Sequence, residues 1–219
     1  MHAFGTIRRL GLWLDLWLLA RLTGRLRRDA DILGAMGREG LASAFVSITT
    51  LDRGLARAME PRASTPAKRL EAISRLAEAG CPVGVGFAPV IPGLNDHELE
   101  AVLEAAAKAG ATSAMYVTLR LPLEIKDLFR EWLADARPDR AARVMSLIRQ
   151  TRGGRDYDPD WNQRMKGTGP VADLIAARFK AAVKRYGLDG PRHGLDESRF
   201  RVPPDMKKQM DLFDFAATG

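Results

Sequence analysis

The stretches that decide the fold are AFVSIT at residues 44–49, VGVGFAPVI at residues 83–91 and SAMYVTL at residues 113–119. Each is a short run of β-branched and other apolar residues with little polar alternation. Such runs are typical of strands buried on both faces, as in a parallel sheet. The sequence therefore predicts three strands of this kind.

Segments with helical spacing of apolar residues separate these strands. Thr65 precedes a proline and predicts the N-cap of a helix that ends at Gly80. Asn95 with Glu98 resembles a capping box and predicts the start of a helix that ends at Gly110. Strands that alternate with helices through short connections are joined by right-handed crossovers and lie parallel.

The predicted fold class is α/β, as a partial (β/α) barrel followed by C-terminal helices and a tail. Three strand–helix units are too few to close a barrel of eight, so we expect part of a larger architecture. Further helices are predicted over residues 29–39, 124–135, 139–150 and 171–186. In such sheets the functional residues collect at the carboxyl ends of the strands.

The composition narrows the class of protein. The chain has 219 residues, of which 46% are hydrophobic and 28% are charged, and this excludes wholesale disorder. Its single cysteine excludes an internal disulfide, which favours a cytoplasmic location. A net charge of +7 fits a polyanionic partner such as DNA, and it fits a simple excess of arginine equally well.

The first 28 residues form an atypical apolar and basic segment. Residues 10–20 are strongly apolar and follow Arg8 and Arg9, as in a signal sequence. The run is too short to cross a bilayer, which needs about 20 residues, and Asp15 interrupts it. An amphipathic or partly buried helix is expected here, without a transmembrane segment.

Several motifs, taken together and in order, resemble the later half of radical S-adenosylmethionine (SAM) proteins. The resemblance is to the group related to spore photoproduct lyase, often called DNA repair photolyases, and it covers about residues 29–186. The motifs are TTLD at 49–52, MEPR at 59–62, PVGVGFAPVIPGLND at 82–96, LRLP at 119–122, KDLF at 126–129 and MKGTGP at 165–170.

This resemblance implies an enzyme in which a [4Fe–4S] cluster reductively cleaves SAM and the resulting radical abstracts hydrogen from a substrate. It implies that Ser47 and Thr49 hydrogen-bond the methionine or ribose part of SAM. The run Val90-Ile91-Pro92-Gly93 would pack against adenine, and Leu119 with Arg120 would close the side formed by the third strand. Catalytic residues are not assigned.

Each of these residues also has a purely structural interpretation. Ser47 could cap strand-end backbone, the Pro92-Gly93 pair could only turn the chain, and Arg120 could pair with Glu124. Without the resemblance, the structural interpretation is the better one at each position.

The chain departs from the family pattern at the cluster ligands. The family binds its cluster through Cys-x-x-x-Cys-x-x-Cys, whereas the only cysteine here is Cys81, just before a predicted strand. We expect Cys81 to be a small buried residue at the opposite end of the sheet from the site. The chain alone is then expected to hold no cluster or other metal and to be inactive, as a truncated, frameshifted or wrongly started family member.

The domain boundaries follow from these observations. We predict an N-terminal segment at 1–28, a partial barrel at 29–150, a loop and helix that complete the domain at 151–187, and a flexible basic tail at 188–219. The tail contains Gln209, Met210, Asp211, Leu212 and Phe213, which resemble the pentapeptide that docks on the bacterial sliding clamp.

Two alternatives to a radical SAM protein remain. A non-catalytic protein could bind DNA or the sliding clamp through the basic tail, and salt-dependent DNA binding would favour it. A fragment without a stable fold is the other, because missing strands would leave an exposed sheet edge.

Overall fold

The computed structural model describes residues 29–160, 163–190, 195, 196 and 198. Its sheet contains three parallel strands in the order β1-β2-β3. They are β1 (Ala44–Ile48), β2 (Val83–Val90) and β3 (Ser113–Thr118). The three predicted strands are confirmed, each within one residue of its predicted end.

Seven α-helices accompany the sheet in the described part of the chain. They are α1 (Ala30–Arg38), α2 (Arg53–Met59), α3 (Pro66–Glu78), α4 (Leu99–Lys108), α5 (Ile125–Ala136), α6 (Ala141–Gln150) and α7 (Pro170–Arg185). A short 3₁₀ turn, Asp96–Glu98, precedes α4. All except α2 lie close to their predicted positions.

Helix α2 escapes prediction because it is only seven residues long and buries a single side chain, Leu55. It starts at Asp52, whose carboxylate accepts hydrogen bonds from the backbone N–H of Gly54 at 2.6 Å and of Leu55 at 3.1 Å. The sequence signal for this helix is its N-cap residue, because the helix has no periodic stripe of apolar side chains.

The two predicted helix caps have different outcomes. Thr65 is the N-cap of α3 and accepts a hydrogen bond from Lys68 N at 3.4 Å, as predicted. The capping box of Asn95 and Glu98 is wrong, since neither side chain caps its helix. Both side chains instead reach neighbouring strand ends, a tertiary role that local spacing does not reveal.

Helices α3, α4 and α7 cover one face of the sheet. Alternate residues of each strand enter this layer, so that Val46, Val85 and Tyr116 belong to one apolar cluster with helix residues such as Leu103 and Ile175. A second, smaller apolar cluster lies beyond the carboxyl ends of β2 and β3. It consists of Leu55, Ile91, Leu94, Leu121, Leu133, Val144, Met145 and Ile148.

On the other face of the sheet, the central strand β2 presents two glycines, Gly84 and Gly86. Ser47, Gly86 and Met115 are register partners across the three strands, and they alternate with the residues of the main core. A Cβ atom at Gly86 would meet only Met115 Cγ at 3.7 Å and Ser47 Cα at 3.9 Å. A Cβ at Gly84, one row nearer the amino edge, would overlap the ring of Phe45.

The two outer edges of the sheet differ. Beside β3, Thr118 N donates to Met165 O at 2.9 Å, and Ser113 forms an isolated antiparallel bridge with Asp189. The outer edge of β1 pairs with no strand within the described residues. This mixed α/β architecture is consistent with the predicted partial barrel. Among the residues that the structure describes, no helix has the length and apolar character needed to cross a bilayer.

Candidate functional site

Buried polar side chains concentrate at the carboxyl edge of the sheet. In the described part of the chain, the buried polar side chains all lie at or beside the carboxyl ends of the strands. They are Ser47, Thr49, Thr50, Arg69, Asn95, Thr118, Thr151 and Arg152. Because a buried polar group is costly unless it is hydrogen-bonded, this edge must be held by specific partners.

Asn95 joins the ends of β1 and β2. Its side chain is fully buried, and its Oδ1 accepts a hydrogen bond from Ile91 N at 2.7 Å. Its Nδ2 donates to Thr49 O at 2.7 Å and to Pro89 O at 2.9 Å. One amide therefore satisfies three backbone groups on two strands, which fixes the spacing of the strand ends.

Glu98 holds the segment that follows β1. Its Oε1 accepts from Thr50 Oγ1, and its Oε2 accepts from Leu51 N, both at 2.6 Å. In the same connection, Asp96 Oδ1 accepts from Gly93 N at 2.7 Å. The turn after β2 thus uses three side chains of the sequence NDHE to brace two strand ends.

Arg69 ties helix α3 to the end of β1. Its side chain is only 3% exposed. Nη1 donates to Ser47 O at 2.9 Å, and Nη2 forms an ion pair with Glu60 Oε2 at 3.0 Å. The same Glu60 oxygen accepts from Thr49 Oγ1 at 2.9 Å. The predicted site residues Ser47 and Thr49 are consequently held in a network that local sequence spacing does not reveal.

Arg152 performs a similar task at the end of β3. It is 1% exposed, and its guanidinium donates to Leu119 O at 2.8 Å, Thr118 Oγ1 at 2.9 Å and Gln163 O at 3.0 Å. Burial lowers the pKa of Arg152, and the nearby charge of Arg120 acts in the same direction. The group stays cationic at neutral pH because the ordinary pKa of a guanidinium lies far above neutrality.

Arg120 lies beside this network. Its Nη2 donates to Tyr157 Oη at 3.2 Å, and its guanidinium carbon lies 5.9 Å from the centre of the Tyr157 ring. Its Nη1 lies 3.9 Å from Met165 Sδ. These contacts hold a half-buried guanidinium at the carboxyl edge, where it suits an anionic group such as a carboxylate.

The run predicted to face adenine is packed mostly inside the protein. The side chains of Val90 and Ile91 are fully buried in the two apolar clusters, and Pro92 is buried as well. Gly93 is partly exposed, and a Cβ there would meet Leu147 Cδ1 at 2.8 Å. In this arrangement only Gly93 of the run offers surface to a ligand.

The structure thus brings Ser47, Thr49, Leu119 and Arg120 to one edge of the sheet. Leu119 N donates to Val90 O at 2.9 Å, which joins the ends of β2 and β3. Cys81 lies at the opposite, amino edge and is buried, as expected. The predicted clamp-docking residues at 209–213 lie outside the described residues.

No metal centre emerges from the geometry of the described residues. Within them, no group of three or more His, Cys, Asp or Glu side chains is placed to hold an ion. The thiol of Cys81 contacts Pro82 O at 3.7 Å, and burial raises its pKa, so the thiol stays protonated. One buried thiol at the amino edge does not fit a [4Fe–4S] cluster, which needs several converging thiolates.

Comparison with known proteins shows what part of the chain is similar to. The family model of the radical SAM superfamily matches residues 20–106. This match includes β1, β2 and the connections that carry Glu60, Arg69, Asn95 and Glu98. It does not resolve the subgroup related to spore photoproduct lyase.

Individual relatives carry no named activity. The uncharacterized proteins Mb2609c of Mycobacterium bovis and Rv2578c of Mycobacterium tuberculosis are each 33% identical to the chain over 153 residues, which is 69% of the chain. The uncharacterized protein ORF301 of Acidianus two-tailed virus is 39% identical over 65 residues, 30% of this chain and 21% of the viral protein. The chain spans about 44% of the length of each mycobacterial relative.

Proposed function

We propose that this chain supplies the carboxy-terminal part of a radical SAM barrel and binds SAM at the carboxyl edge of its sheet. The observation that carries the proposal is the match of the radical SAM superfamily to residues 20–106. In that stretch, the ends of β1 and β2 are braced by buried polar side chains. Such preorganised edges are where parallel α/β sheets bind ligands.

The polar residues have chemistry that suits the two ends of SAM. The hydroxyls of Ser47 and Thr49 can donate to and accept from ribose or methionine oxygens. Arg120 can pair with the methionine carboxylate through two parallel hydrogen bonds. Leu119 closes the β3 side, and the run from Val90 to Gly93 supplies adenine contacts through the exposed surface of Gly93 and adjacent backbone.

The [4Fe–4S] cluster does not fit the residues of this chain, because its sequence contains one cysteine. We therefore derive no reaction step through the cluster and assign this chain to cofactor binding. Cleavage of SAM, under this proposal, requires thiolate ligands from outside this sequence. The chain alone is proposed to be inactive.

The finer assignment to the spore photoproduct lyase-related group, and to DNA repair, is part of the same proposal. It is supported by the ordered motifs from TTLD to MKGTGP. The substrate from which hydrogen is abstracted would be DNA or a related polyanion. The ion pair of buried Arg69 with partly exposed Glu60 gives one of these motifs, MEPR, a structural role at the end of β1.

Calorimetric titration of the full chain with SAM tests the proposal. We expect one site, with affinity weakened by about tenfold in Arg120→Met, since a charge-assisted hydrogen bond contributes roughly 1.5–3 kcal/mol. Arg143→Met is the matched control, because Arg143 is an exposed arginine on α6 that is not among the residues proposed to contact SAM. Absence of SAM binding by the folded chain, or equal losses in both variants, would refute the assignment.

A second candidate function is docking on DNA or on the bacterial sliding clamp. It is supported by the net charge of +7 and by Gln209-Met210-Asp211-Leu212-Phe213. In such short motifs the apolar side chains enter pockets on the partner. Replacing Leu212 and Phe213 by alanine should abolish retention on immobilised clamp, and retention equal to that of the unchanged chain would exclude this function.

A further inference from the structure

A cavity of about 200 Å³ opens between α2, the start of α3 and the end of β1. Its charged lining consists of three arginines and one glutamate, namely Arg53, Arg57, Arg69 and Glu60. Its volume is below the roughly 300 Å³ at which pockets for drug-sized ligands begin. The cavity therefore suits a small ligand, or one group of a larger ligand.

One of the three arginines is already neutralised. Arg69 forms its ion pair with Glu60 at 3.0 Å and has its remaining bonds to Ser64 O and Ser47 O. Since Oε2 of Glu60 accepts from both Arg69 and Thr49, this carboxylate is committed to the wall of the cavity. The Arg69–Glu60 pair contributes no net charge to a ligand.

Within the described residues, the other two arginines have no ion-pair partner. Arg53 and Arg57 are exposed and form no ion pair or hydrogen bond in the described part of the chain. Four residues apart on α2, they lie on the same helix face and repel each other. The cavity thus carries two uncompensated positive charges side by side.

The hydroxyl group of Thr65, at the rim of the cavity, can donate one further hydrogen bond to a ligand. Thr65 lines the cavity, and its Oγ1 accepts from Lys68 N, which leaves its own hydrogen available. Two guanidiniums and a hydroxyl can surround several oxygens of one tetrahedral anion. A carboxylate, with one charge and two oxygens, would leave one arginine uncompensated.

From this arrangement we infer that the cavity binds a phosphate group, held by Arg53 and Arg57 with Thr65 at the rim. The group is a terminal phosphate, which carries up to two charges on three oxygens and so matches two guanidiniums; a backbone phosphodiester, with one charge and two free oxygens, resembles a carboxylate in this respect. This cavity adjoins the proposed SAM site, because Thr49 also lines it, but the arginines that define it are not assigned to SAM and its test does not depend on SAM binding.

The experiment uses the full chain at low ionic strength. Inorganic phosphate is titrated calorimetrically, and a fluorescent single-stranded oligonucleotide is bound with and without a 5′-phosphate. The double variant R53Q/R57Q is compared with R143Q, which removes an exposed arginine from α6 that lies outside the cavity. Thermal unfolding by circular dichroism checks that both variants fold, as expected for exposed positions.

We expect R53Q/R57Q to bind phosphate at least tenfold more weakly and R143Q to bind it unchanged. Preference for the 5′-phosphorylated oligonucleotide supports a terminal phosphate as the ligand, and equal binding of both oligonucleotides would contradict it. The inference is overturned if neither phosphate nor oligonucleotide binds, or if R143Q loses as much affinity as the double variant. Displacement of phosphate by SAM would also overturn it, by merging the cavity with the cofactor site.

Discussion

The carboxyl edge of the sheet, where the strands end, and the amino edge, where the strands begin, are stabilised in different ways. At the carboxyl edge, side chains such as Asn95, Arg69 and Arg152 are buried and bonded to strand-end backbone. At the amino edge, glycines at positive φ, Gly80 and Gly110, end the helices, and small apolar residues fill the space before each strand. The amino edge is thus maintained by tight turns and packing, and the carboxyl edge by specific hydrogen bonds.

This difference indicates that buried, hydrogen-bonded side chains stabilise the carboxyl edge, whereas apolar packing stabilises the amino edge. A buried hydrogen-bond network is costly when any member is lost, because its partners stay desolvated. Packing at the amino edge tolerates small changes of volume better. Substitutions at the two edges should therefore differ in size of effect, which four measurements can test.

The largest effect is expected for Asn95→Leu. Leucine has the same number of side-chain heavy atoms and the same branching, but it leaves Ile91 N, Thr49 O and Pro89 O without their bonds to the amide. With each buried unsatisfied group costing roughly 1–3 kcal/mol, a loss of about 4 kcal/mol in the free energy of unfolding is expected. Urea denaturation measures it, and a loss below about 1 kcal/mol would contradict the role assigned to Asn95.

A smaller loss, about 2 kcal/mol, is expected for Arg152→Met. The change leaves the carbonyl oxygens of Leu119 and Gln163 without a hydrogen-bond donor. Removal of a buried charge offsets part of this loss of stability. Urea denaturation against the unchanged chain checks the value. A variant more stable than the unchanged chain would mean that burying the guanidinium outweighs its three hydrogen bonds.

Cys81→Ala probes the amino edge directly. The side chain is 2% exposed and makes only a weak thiol contact with Pro82 O. Losing one buried heavy atom is expected to cost about 1 kcal/mol. The same denaturation assay applies, and a cost equal to that of Asn95→Leu would remove the contrast between the edges.

The smallest effect is expected at the solvent-facing side of the helical layer, for Glu100→Gln. Arg178 donates to Glu100 Oε1 at 2.8 Å and to Oε2 at 2.6 Å, and this hydrogen bonding lowers the pKa of Glu100 below its ordinary 4.5. The carboxylate therefore stabilises the fold above about pH 4.5, and this contribution is lost as the pH falls through the lowered pKa.

Because both groups are partly exposed, the Glu100→Gln loss at pH 7 is expected to be about 0.5 kcal/mol. The two proteins should become equally stable at acid pH. Thermal unfolding of the Glu100→Gln variant and of the unchanged chain is compared at about five pH values between pH 3 and pH 7. A difference that persists unchanged at the lowest pH would assign the effect to packing instead of charge.

Much of the fold follows from local sequence patterns. Strand runs such as VGVGFAPVI and the Thr65 cap with its following proline predict the elements within a few residues. Helix α2 is missed because seven residues with one buried side chain carry no apolar period. The capping-box prediction for Asn95 and Glu98 fails because both side chains find better partners on other segments.

For the site, the sequence could identify which strand ends matter but not what supports them. Ser47, Thr49, Leu119 and Arg120 are implied as site residues by the family resemblance at the strand ends, and their cofactor role stays a prediction. Arg69 lies within an ordinary helical pattern, and its burial depends on contacts with Glu60 and Ser47 that bring together separate parts of the chain.

By itself, the sequence determined the order and type of the main elements, the parallel sheet and the lack of enough cysteines for a cluster, because these depend on local periodicity and on counting. Only the tertiary structure decided which polar residues are buried, that Asn95 joins two strands, and that Arg53 and Arg57 share a cavity. Burial and hydrogen bonding depend on contacts between residues distant in the chain, and such contacts exist only once the strands and helices have packed.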